Sequence, residues 1–193
     1  MSQFPHVRFL LSVANVEQFP AEPGREIAFA GRSNSGKSSA INAIVQRNAL
    51  ARTSKTPGRT KLLNFFELEP EKRIIDLPGY GYAEASPQER AQWIRLIEGL
   101  PARDCIVGLF LIVDIRRGVK PEDEQLLEWA RGAGWQVHVL LAKSDKLSQR
   151  ERAAALKDAE GRLGGGSTVQ VFSAHDGTGV GPAQKRLIEM LSH

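Results

Sequence analysis

Cysteine and long apolar runs are scarce in this chain. Among its 193 residues Cys105 is the only cysteine, so an internal disulfide is excluded. The longest apolar run, 106–113, is interrupted only by Gly108 and is far shorter than the roughly 18–20 residues that cross a bilayer. Residues 1–20 lack a basic leader, a long apolar stretch and a small-residue cleavage site, so they do not resemble a secretory signal. We therefore expect a cytoplasmic protein without membrane insertion.

Metal-ligand spacing and internal repeats are also lacking. The four histidines are too scattered along the chain for a zinc-binding pattern. Hydrophobic residues at 41% and charged residues at 25% are close to the average of globular domains, which excludes a fibrous or disordered chain. We expect one domain, in which 1–24 form an N-terminal strand and lead-in to 25–193, and a monomer is the simplest assembly.

Short β-like runs alternate with longer helical segments, which is typical of α/β architecture with a largely parallel central sheet. The runs KLLNFFEL and KRIIDL are separated only by EPEK, which predicts an antiparallel hairpin at one edge of this sheet. The predicted fold class is therefore a three-layer α/β domain with a mostly parallel sheet and one antiparallel edge strand. The predicted strands are 7–13, 26–30, 62–68, 73–76, 106–114, 136–142 and 168–172. The predicted helices are 37–46, 86–100, 120–133, 148–164 and 181–192.

Apolar residues recur at three- and four-residue spacing in the second predicted helix, 86–100. This spacing is typical of a helix that buries one face against a core. We therefore expect every member of the set to be buried. The set consists of Trp93, Ile94, Leu96, Ile97 and Leu100.

The segment GRSNSGKS, residues 31–38, lies between a predicted strand and a predicted helix. Two glycines separated by four residues and followed by Lys-Ser form the P-loop pattern, in which backbone N–H groups surround phosphate at the positive end of a helix. Lys37 is expected to reach the β and γ phosphates, and the Ser38 hydroxyl is expected to bind Mg²⁺. The predicted phosphate-binding residues are Gly31, Arg32, Ser33, Asn34, Ser35, Gly36, Lys37 and Ser38.

The run DLPG begins at the end of the predicted strand 73–76. A carboxylate at the carboxyl end of a strand can hold the metal through water, and the N–H of Gly79 can donate to a γ phosphate. The whole run is therefore predicted to lie at the triphosphate, with its carboxylate as a metal ligand. Its residues are Asp76, Leu77, Pro78 and Gly79.

Two later segments indicate which base accompanies the phosphates. In AKSDKL, Asp145 can accept hydrogen bonds from N1 and N2 of guanine, whereas adenine offers no matching pair of donors. Lys143 can lie along the base with its aliphatic stem, and backbone N–H groups of FSA can reach guanine O6. Together with the P-loop and DLPG, these segments predict GTP rather than ATP. The predicted base-binding residues are Lys143, Ser144, Asp145, Phe172, Ser173 and Ala174.

With these motifs the sequence resembles the EngB family, also called YihA or YsxC, of bacterial ribosome-assembly GTPases. The resemblance is carried by GRSNSGKSS, SKTPGRTKLLNFFEL, DLPGYGYA, AKSDKL and FSA, and it extends from about residue 25 to the last predicted helix. It implies a P-loop GTPase domain that uses GTP, GDP and Mg²⁺. It also implies a role in maturation of the large ribosomal subunit and a requirement for normal cell division and septation.

The resemblance also assigns roles within the loop TPGRT. Its Pro and Gly suit a loop that moves, and a threonine hydroxyl in it can cap the metal only in the triphosphate state. Thr60 is the implied residue, Thr56 is the competing candidate, and Gly58 and Arg59 are implied to contact the nucleotide. The residues implied in catalysis are Lys37, Thr60 and Gly79, and the implied metal ligands are Ser38, Thr60 and Asp76.

Three positions bear on the affinity for nucleotide and on the rate of GTP hydrolysis. Ala142 stands where an Asn or Thr is common before the Lys, which removes a side chain that can tie the base-binding loop to the P-loop. Tyr80 follows Gly79 where many signalling GTPases have a water-orienting glutamine, so slow intrinsic hydrolysis is expected. Asn34 occupies the P-loop position at which some related GTPases use an asparagine to help bind K⁺. Its alternative role is to brace the P-loop.

The segment 47–61, named here the basic segment, contains five basic residues and no acidic one. Because it includes the predicted switch loop, its positive surface would change with the nucleotide, which suits docking on rRNA of the large ribosomal subunit or its precursor. Arg116, Arg117 and Lys120 are expected to extend this surface. The alternative function is a GTP-dependent protein adapter in cell division or signalling without direct ribosome binding.

Overall fold

The computed structural model describes residues 3–21, 23–51, 62–81 and 86–192. Every predicted strand and helix is present, with boundaries that differ by at most two residues. The strands are β1 (Arg8–Val13), β2 (Arg25–Gly31), β3 (Leu63–Glu69), β4 (Lys72–Asp76), β5 (Ile106–Asp114), β6 (Gln136–Ala142) and β7 (Ser167–Val171). The helices are α1 (Lys37–Ile44), α2 (Pro87–Gly99), α3 (Pro121–Gly132), α4 (Gln149–Leu163) and α5 (Val180–Ser192).

The strands form one sheet in the order β1-β3-β4-β2-β5-β6-β7. Strand β2 pairs in parallel with both β4 and β5, and the parallel pairing continues through β6 to β7. Strand β3 is antiparallel to both of its neighbours, β1 and β4. The sheet is mostly parallel with its antiparallel pairings toward the β1 edge, which confirms the predicted fold class. The predicted β3–β4 hairpin is present, but it does not form the edge itself, because β1 pairs with the outer side of β3.

Successive residues of the central strand β2 face opposite sides of the sheet. Ala28 and Ala30 belong to the buried cluster that also contains residues of α2, α3 and α4, whereas Ile27 and Phe29 belong to the cluster with α1 and α5. The fold therefore has three layers, and both faces of the parallel strands are covered. Among the helices in the described ranges, none is both long and apolar enough to cross a membrane.

Helix α2 buries a narrower face than the sequence predicts. Leu96, Ile97 and Leu100 are buried, and Trp93 packs against the same cluster, but Ile94 is 46% exposed. Each residue advances about 100° around a helix, so Ile94 lies about 100° beyond Trp93 and outside the buried arc. The prediction that Ile94 is buried was therefore wrong.

A charge cluster of Glu26, Arg73 and Arg103 fixes the lead-in to β2. Glu26 is 0% exposed and accepts hydrogen bonds from Arg73 Nε at 2.8 Å and from Arg103 Nη2 at 2.6 Å. The two guanidinium groups in turn donate to backbone carbonyls, Arg103 to Pro20 at 2.9 Å and Arg73 to Pro23 at 3.2 Å. The cluster lies at the start of β2, opposite the end from which the P-loop emerges.

Candidate nucleotide-binding site

Four of the predicted functional segments follow strands at one end of the sheet. The P-loop follows β2, the run DLPG begins at the last residue of β4, the base-binding loop follows β6, and FSA follows β7. These strands run parallel, so their carboxyl ends meet at one edge, where ligands bind in open α/β sheets. The fold thus brings together segments that are far apart in the chain.

Two glycines shape the P-loop. A Cβ on Gly31 would lie 2.6 Å from Ser35 Oγ and 2.7 Å from Ile112 O, so only glycine allows β5 to lie against this turn. Gly36 has φ +102°, a left-handed conformation that favours glycine. Helix α1 begins at the next residue, Lys37, so the free N–H groups of its first turn border the loop. This is an anion-binding arrangement.

Lys37 and Asp76 form an ion pair at the centre of the site. Lys37 opens α1, and Asp76 is the last residue of β4, in register with Phe29 of β2. Their side chains are 12% and 8% exposed, so both charges are largely removed from water. An ammonium suited to phosphate oxygens and a carboxylate suited to a metal are therefore in direct contact.

The segment 77–81 runs beside the P-loop. Ser33 N donates a 2.9 Å hydrogen bond to Tyr80 O, and Tyr80 N donates a 3.3 Å bond to Gly31 O, so the two segments pair like parallel strands. A Cβ on Gly79 would lie 3.2 Å from Ser33 Oγ and 3.4 Å from Ser33 N. Gly79, the predicted γ-phosphate contact, is thus packed against the predicted phosphate loop.

Helices α2 and α3 hold the segment 77–81 from its other side. Leu77 and Pro78 are buried, and Trp93 Nε1 of α2 donates a 3.1 Å hydrogen bond to Pro78 O. The Tyr80 hydroxyl donates to Asp123 at the start of α3. Burial, followed by the charge of Asp123, raises the pKa of Tyr80 above its ordinary value, so the phenol remains a hydrogen-bond donor.

The base-binding loop, residues 143–146, is joined to the segment after β7. Ser144 N donates a 3.1 Å hydrogen bond to Phe172 O, and Ser173 Oγ donates a 2.8 Å bond to Asp145 Oδ1. The hydrogen bond from Lys146, supported by that from Ser173, lowers the pKa of Asp145 below its ordinary value. Asp145 is therefore an ionised acceptor, as recognition of two guanine donors requires.

The P-loop and the base-binding loop border one open cavity of about 640 Å³. This volume lies within the usual range for small-molecule sites, roughly 300–1,000 Å³. It is bounded by residues of the predicted phosphate and base segments and by residues of α1. The predicted nucleotide contacts among its lining residues are Gly36, Lys143, Asp145, Phe172 and Ala174.

Ser38 and Asp76 are the predicted metal ligands within the described ranges. A hydroxyl and a carboxylate are the oxygen ligands that Mg²⁺ takes together with phosphate oxygens. Asp76 contacts Lys37, the residue expected to reach phosphate, so its carboxylate lies beside the expected phosphate position. Ser38 and Asp76 therefore fit a nucleotide-bound Mg²⁺. The other predicted residues of the switch loop lie outside the described ranges: Thr56, Gly58, Arg59 and Thr60.

Two side chains of the site were not predicted from the sequence. Asp114, the last residue of β5, is 4% exposed and contacts Lys143 at 3.0 Å. A charged residue at the carboxyl end of an apolar strand beside β2 is a signal that could have found it. Asn42 of α1 exchanges hydrogen bonds of 2.9 and 2.8 Å with the backbone of Ala51, and no local sequence pattern marks this contact.

A glycine-rich loop between a strand and a helix, an aspartate at a neighbouring strand end and an aspartate in a base-binding loop define a P-loop GTPase. Residues 26–143 match the model of a family described as 50S ribosome-binding GTPase. A relative from Mannheimia succiniciproducens is 46% identical over 89% of this chain and 86% of its own length. A relative from Coxiella burnetii is 43% identical over 98% of this chain and 94% of its own length. Both are named "Probable GTP-binding protein EngB".

The chain therefore belongs to the EngB family of GTP-binding proteins, and it is a GTPase. This confirms the nucleotide predicted from the base-binding residues. Two solved structures share the fold. The crystal structure of a probable GTP-binding protein engB has a TM-score of 0.70 at 22% identity, and the match covers 86% of this chain and 98% of the other. The crystal structure of Era in complex with MgGDPNP and a segment of 16S ribosomal RNA has a TM-score of 0.64 at 20% identity. That match covers 88% of this chain and 57% of the Era chain.

Proposed function

We propose that this GTPase is a Mg²⁺-dependent switch in assembly of the large ribosomal subunit and is required for normal cell division and septation. With GTP bound it docks on the large subunit or its precursor, and hydrolysis to GDP and phosphate releases it. It acts in the cytoplasm as a monomer. The matching family's description, which names 50S ribosome binding, supports the large subunit as the partner.

The observation that carries this proposal is a connection between the phosphate site and the basic segment, 47–61. Helix α1 has Lys37 and Ser38 in its first turn and Asn42 one turn later. Asn42 holds the backbone of Ala51 through hydrogen bonds of 2.9 and 2.8 Å. The helix predicted to contact phosphate therefore also fixes a residue of the segment whose positive charge suits RNA.

Exposed cations beside the site extend the basic surface. Arg47 follows α1, and Arg117 and Lys120 lie between β5 and α3, and all three residues are exposed. Arg116 adds less positive charge to this surface, because Asp114, which lies 2.7 Å away, partly neutralises it. RNA helices are recognised largely through shape and backbone contacts, so such a surface needs no sequence-reading residues. Its affinity is expected to fall steeply as salt rises.

The site residues divide the work of phosphate binding and hydrolysis. Ser38 and Asp76 are proposed to hold Mg²⁺, with Thr60 as a further ligand in the GTP state. Bound there, Mg²⁺ neutralises charge on the β and γ phosphates. Lys37 places a second positive charge at the same oxygens, and the Gly79 N–H donates to the γ phosphate.

Intrinsic hydrolysis is proposed to be slow. Tyr80 follows Gly79, and its hydroxyl is engaged by Asp123 rather than directed at a water. Asn34 is exposed in the P-loop and is proposed to help hold a K⁺ ion that assists hydrolysis. Equal GTPase rates in KCl and NaCl, measured with large subunits present, would contradict the K⁺ role.

Cosedimentation with purified ribosomal subunits tests the proposal. The protein is incubated with large subunits, small subunits or large-subunit precursors in a non-hydrolysable GTP analogue, in GDP or without nucleotide, across a salt series. Selective, salt-sensitive retention on large subunits or precursors with the analogue is the expected result. Absent or nucleotide-independent retention of active protein would contradict the proposal and favour the division adapter.

Charge-reversal variants separate a specific surface from net charge. Lys120→Glu lies on the proposed RNA surface, and Lys185→Glu makes the same change on α5, where the side chain is 81% exposed. Lys120→Glu is expected to weaken retention on large subunits. It is also expected to reduce the slope of log affinity against log salt concentration by about one. Lys185→Glu is expected to keep wild-type retention. Equal loss in both variants would indicate attraction by net charge only.

A further inference from the structure

The ammonium of Lys143 joins three parts of the GTP site. It donates a 2.5 Å hydrogen bond to Asn34 O in the P-loop and a 3.0 Å bond to Asp114 Oδ2 at the end of β5. Lys143 itself opens the base-binding loop, in a left-handed conformation with φ 63°. Among the side-chain hydrogen bonds of the described ranges, this is the one that connects the base-binding loop to the P-loop.

Asp114 is also oriented from the other side, by Arg116. The carboxylate accepts from Arg116 Nε at 3.0 Å, from Nη2 at 2.7 Å and from the backbone N at 3.1 Å. Burial alone raises the pKa of Asp114, but the hydrogen bonds from Arg116 and Lys143 hold it well below its ordinary value. Asp114 is therefore a buried, ionised carboxylate in a fixed orientation.

Ala142 supplies no comparable connection. It is the last residue of β6 and is 3% exposed. A Cβ on Gly36 would lie 3.8 Å from the Ala142 methyl group, so the side chain at this position faces the P-loop but carries no polar atom. The link between the two loops therefore depends on Lys143, whose long side chain is flexible unless another group holds it.

We propose that Asp114 is a positioning residue for nucleotide binding, which holds the Lys143 ammonium on Asn34 O and thereby fixes the base-binding loop relative to the P-loop. Phosphates and guanine bind to separate loops, so a preorganised connection lets one nucleotide engage both without a further ordering cost. Base selectivity stays with Asp145, whereas Asp114 sets how long the nucleotide remains bound. The inference rests on the GTP site and is independent of ribosome binding.

The first test measures the affinity and dissociation rate of a fluorescent GDP derivative. Asp114→Asn keeps the side-chain size but weakens the hold on Lys143. It is expected to weaken GDP binding about tenfold, mainly through faster dissociation, with an unchanged preference for guanine over adenine. Asp158→Asn, the same change at an exposed carboxylate of α4, is the matched control and keeps the wild-type rate. A wild-type dissociation rate in Asp114→Asn overturns the proposal.

A double-mutant cycle with Lys143→Met separates positioning from a general structural role. Since Asp114 acts through Lys143, adding Asp114→Asn to Lys143→Met is expected to change the dissociation rate no further. A second increase of about tenfold in the double variant overturns the proposal, because it shows an effect that bypasses Lys143.

Rescue at position 142 gives an independent readout. Ala142 borders the cavity and its methyl group faces Gly36, so an asparagine there is placed to hydrogen-bond to the P-loop. Ala142→Asn is expected to restore slow GDP dissociation to Asp114→Asn. A dissociation rate in the double variant that equals that of Asp114→Asn overturns the proposal.

If Asp114→Asn does not fold, Arg116→Gln replaces it as the test variant. GDP dissociation from Arg116→Gln is expected to be about threefold faster than from the wild type, and a wild-type rate again overturns the proposal.

Discussion

The Tyr80 hydroxyl donates a 2.5 Å hydrogen bond to Oδ1 of Asp123, whose other carboxylate oxygen accepts a 2.8 Å bond from Lys120 N at the start of α3. Asp123 is 1% exposed. Because Tyr80 directly follows Gly79, the proposed γ-phosphate contact, this bond connects that part of the GTP site to α3. Two hydrogen bonds through Asp123 thus link the residue after Gly79 to the backbone of Lys120, which belongs to the proposed RNA surface.

Tyr80→Phe removes this bond and leaves the ring in place. Asp123 then loses one hydrogen bond to a buried carboxylate, and we expect the free energy of unfolding to fall by about 1–2 kcal/mol. Amide hydrogen exchange of residues 77–81 is expected to become faster in the GDP form. Urea unfolding and mass-spectrometric hydrogen exchange measure the two effects. Unchanged exchange in 77–81 would show that Asp123 does not hold this segment.

Asp145→Asn is expected to shift base preference from guanine to xanthine. The amide keeps one acceptor and gains a donor, so it no longer matches the two donors of guanine but can donate to the O2 of xanthine. GDP affinity is expected to fall at least about tenfold while XDP affinity rises above it. Competition against a fluorescent GDP or XDP derivative measures both, with Asp158→Asn as the control. Retained preference for guanine would refute the role of Asp145.

Glu26→Gln is expected to destabilise the fold without changing the GTP site. Glu26 is 0% exposed and forms ion pairs with two guanidinium groups, so Glu26→Gln removes the buried negative charge that both of them contact. We expect the free energy of unfolding to fall by about 3–5 kcal/mol, measured by urea unfolding. GDP affinity of the folded variant is expected to stay at the wild-type value. A loss below about 1 kcal/mol would show that water reaches the cluster.

Stability is expected to decline in mild acid through His138. The ring contacts Thr168 Oγ1 at 2.7 Å and Gln170 Oε1 at 3.1 Å, and burial, together with the charge of Arg186, lowers the pKa of His138 to about 4. The unfolded chain binds this proton near pH 6.5, so the contribution is complete above about 6.5 and is lost as pH falls toward about 4. The total contribution of His138 to the free energy of unfolding is about 3 kcal/mol.

Urea unfolding at pH 7.5 and pH 4.5 tests the role of His138. Between these two pH values, His138→Gln is expected to lose about 2 kcal/mol less stability than the wild type, because it lacks the titrating group. His175→Gln changes an exposed histidine and is expected to keep the wild-type loss. Equal losses in all three proteins would contradict a neutral buried His138.

The secondary structure and the phosphate and base segments were predictable because they depend on local residue types. Gly31 stands where β5 leaves no room for a Cβ, and Gly36 stands where φ is positive. Asp76 ends a strand, and Asp145 follows one, at the edge where ligands bind to parallel sheets. Each of these requirements restricts the residue at one position, so a single sequence shows it.

Contacts between distant segments were not predictable in the same way. Tyr80 and Asp123 are 43 residues apart, and Asp114 and Lys143 are 29 apart. Their contacts depend on how α3 and β5 are placed beside the P-loop, which no local pattern specifies. Ile94 shows the same limit, because the width of the buried face of α2 depends on what packs against it.

Docking of the GTP-bound form on the large ribosomal subunit is tested most directly by cosedimentation with nucleotides of two bases. Wild-type protein and Asp145→Asn are each incubated with large subunits or their precursors in a non-hydrolysable GTP or XTP analogue. The wild type is expected to bind with the GTP analogue only, and the variant with the XTP analogue only. Binding that ignores the nucleotide in both proteins, or no binding in any combination, would contradict a GTP-controlled ribosome switch.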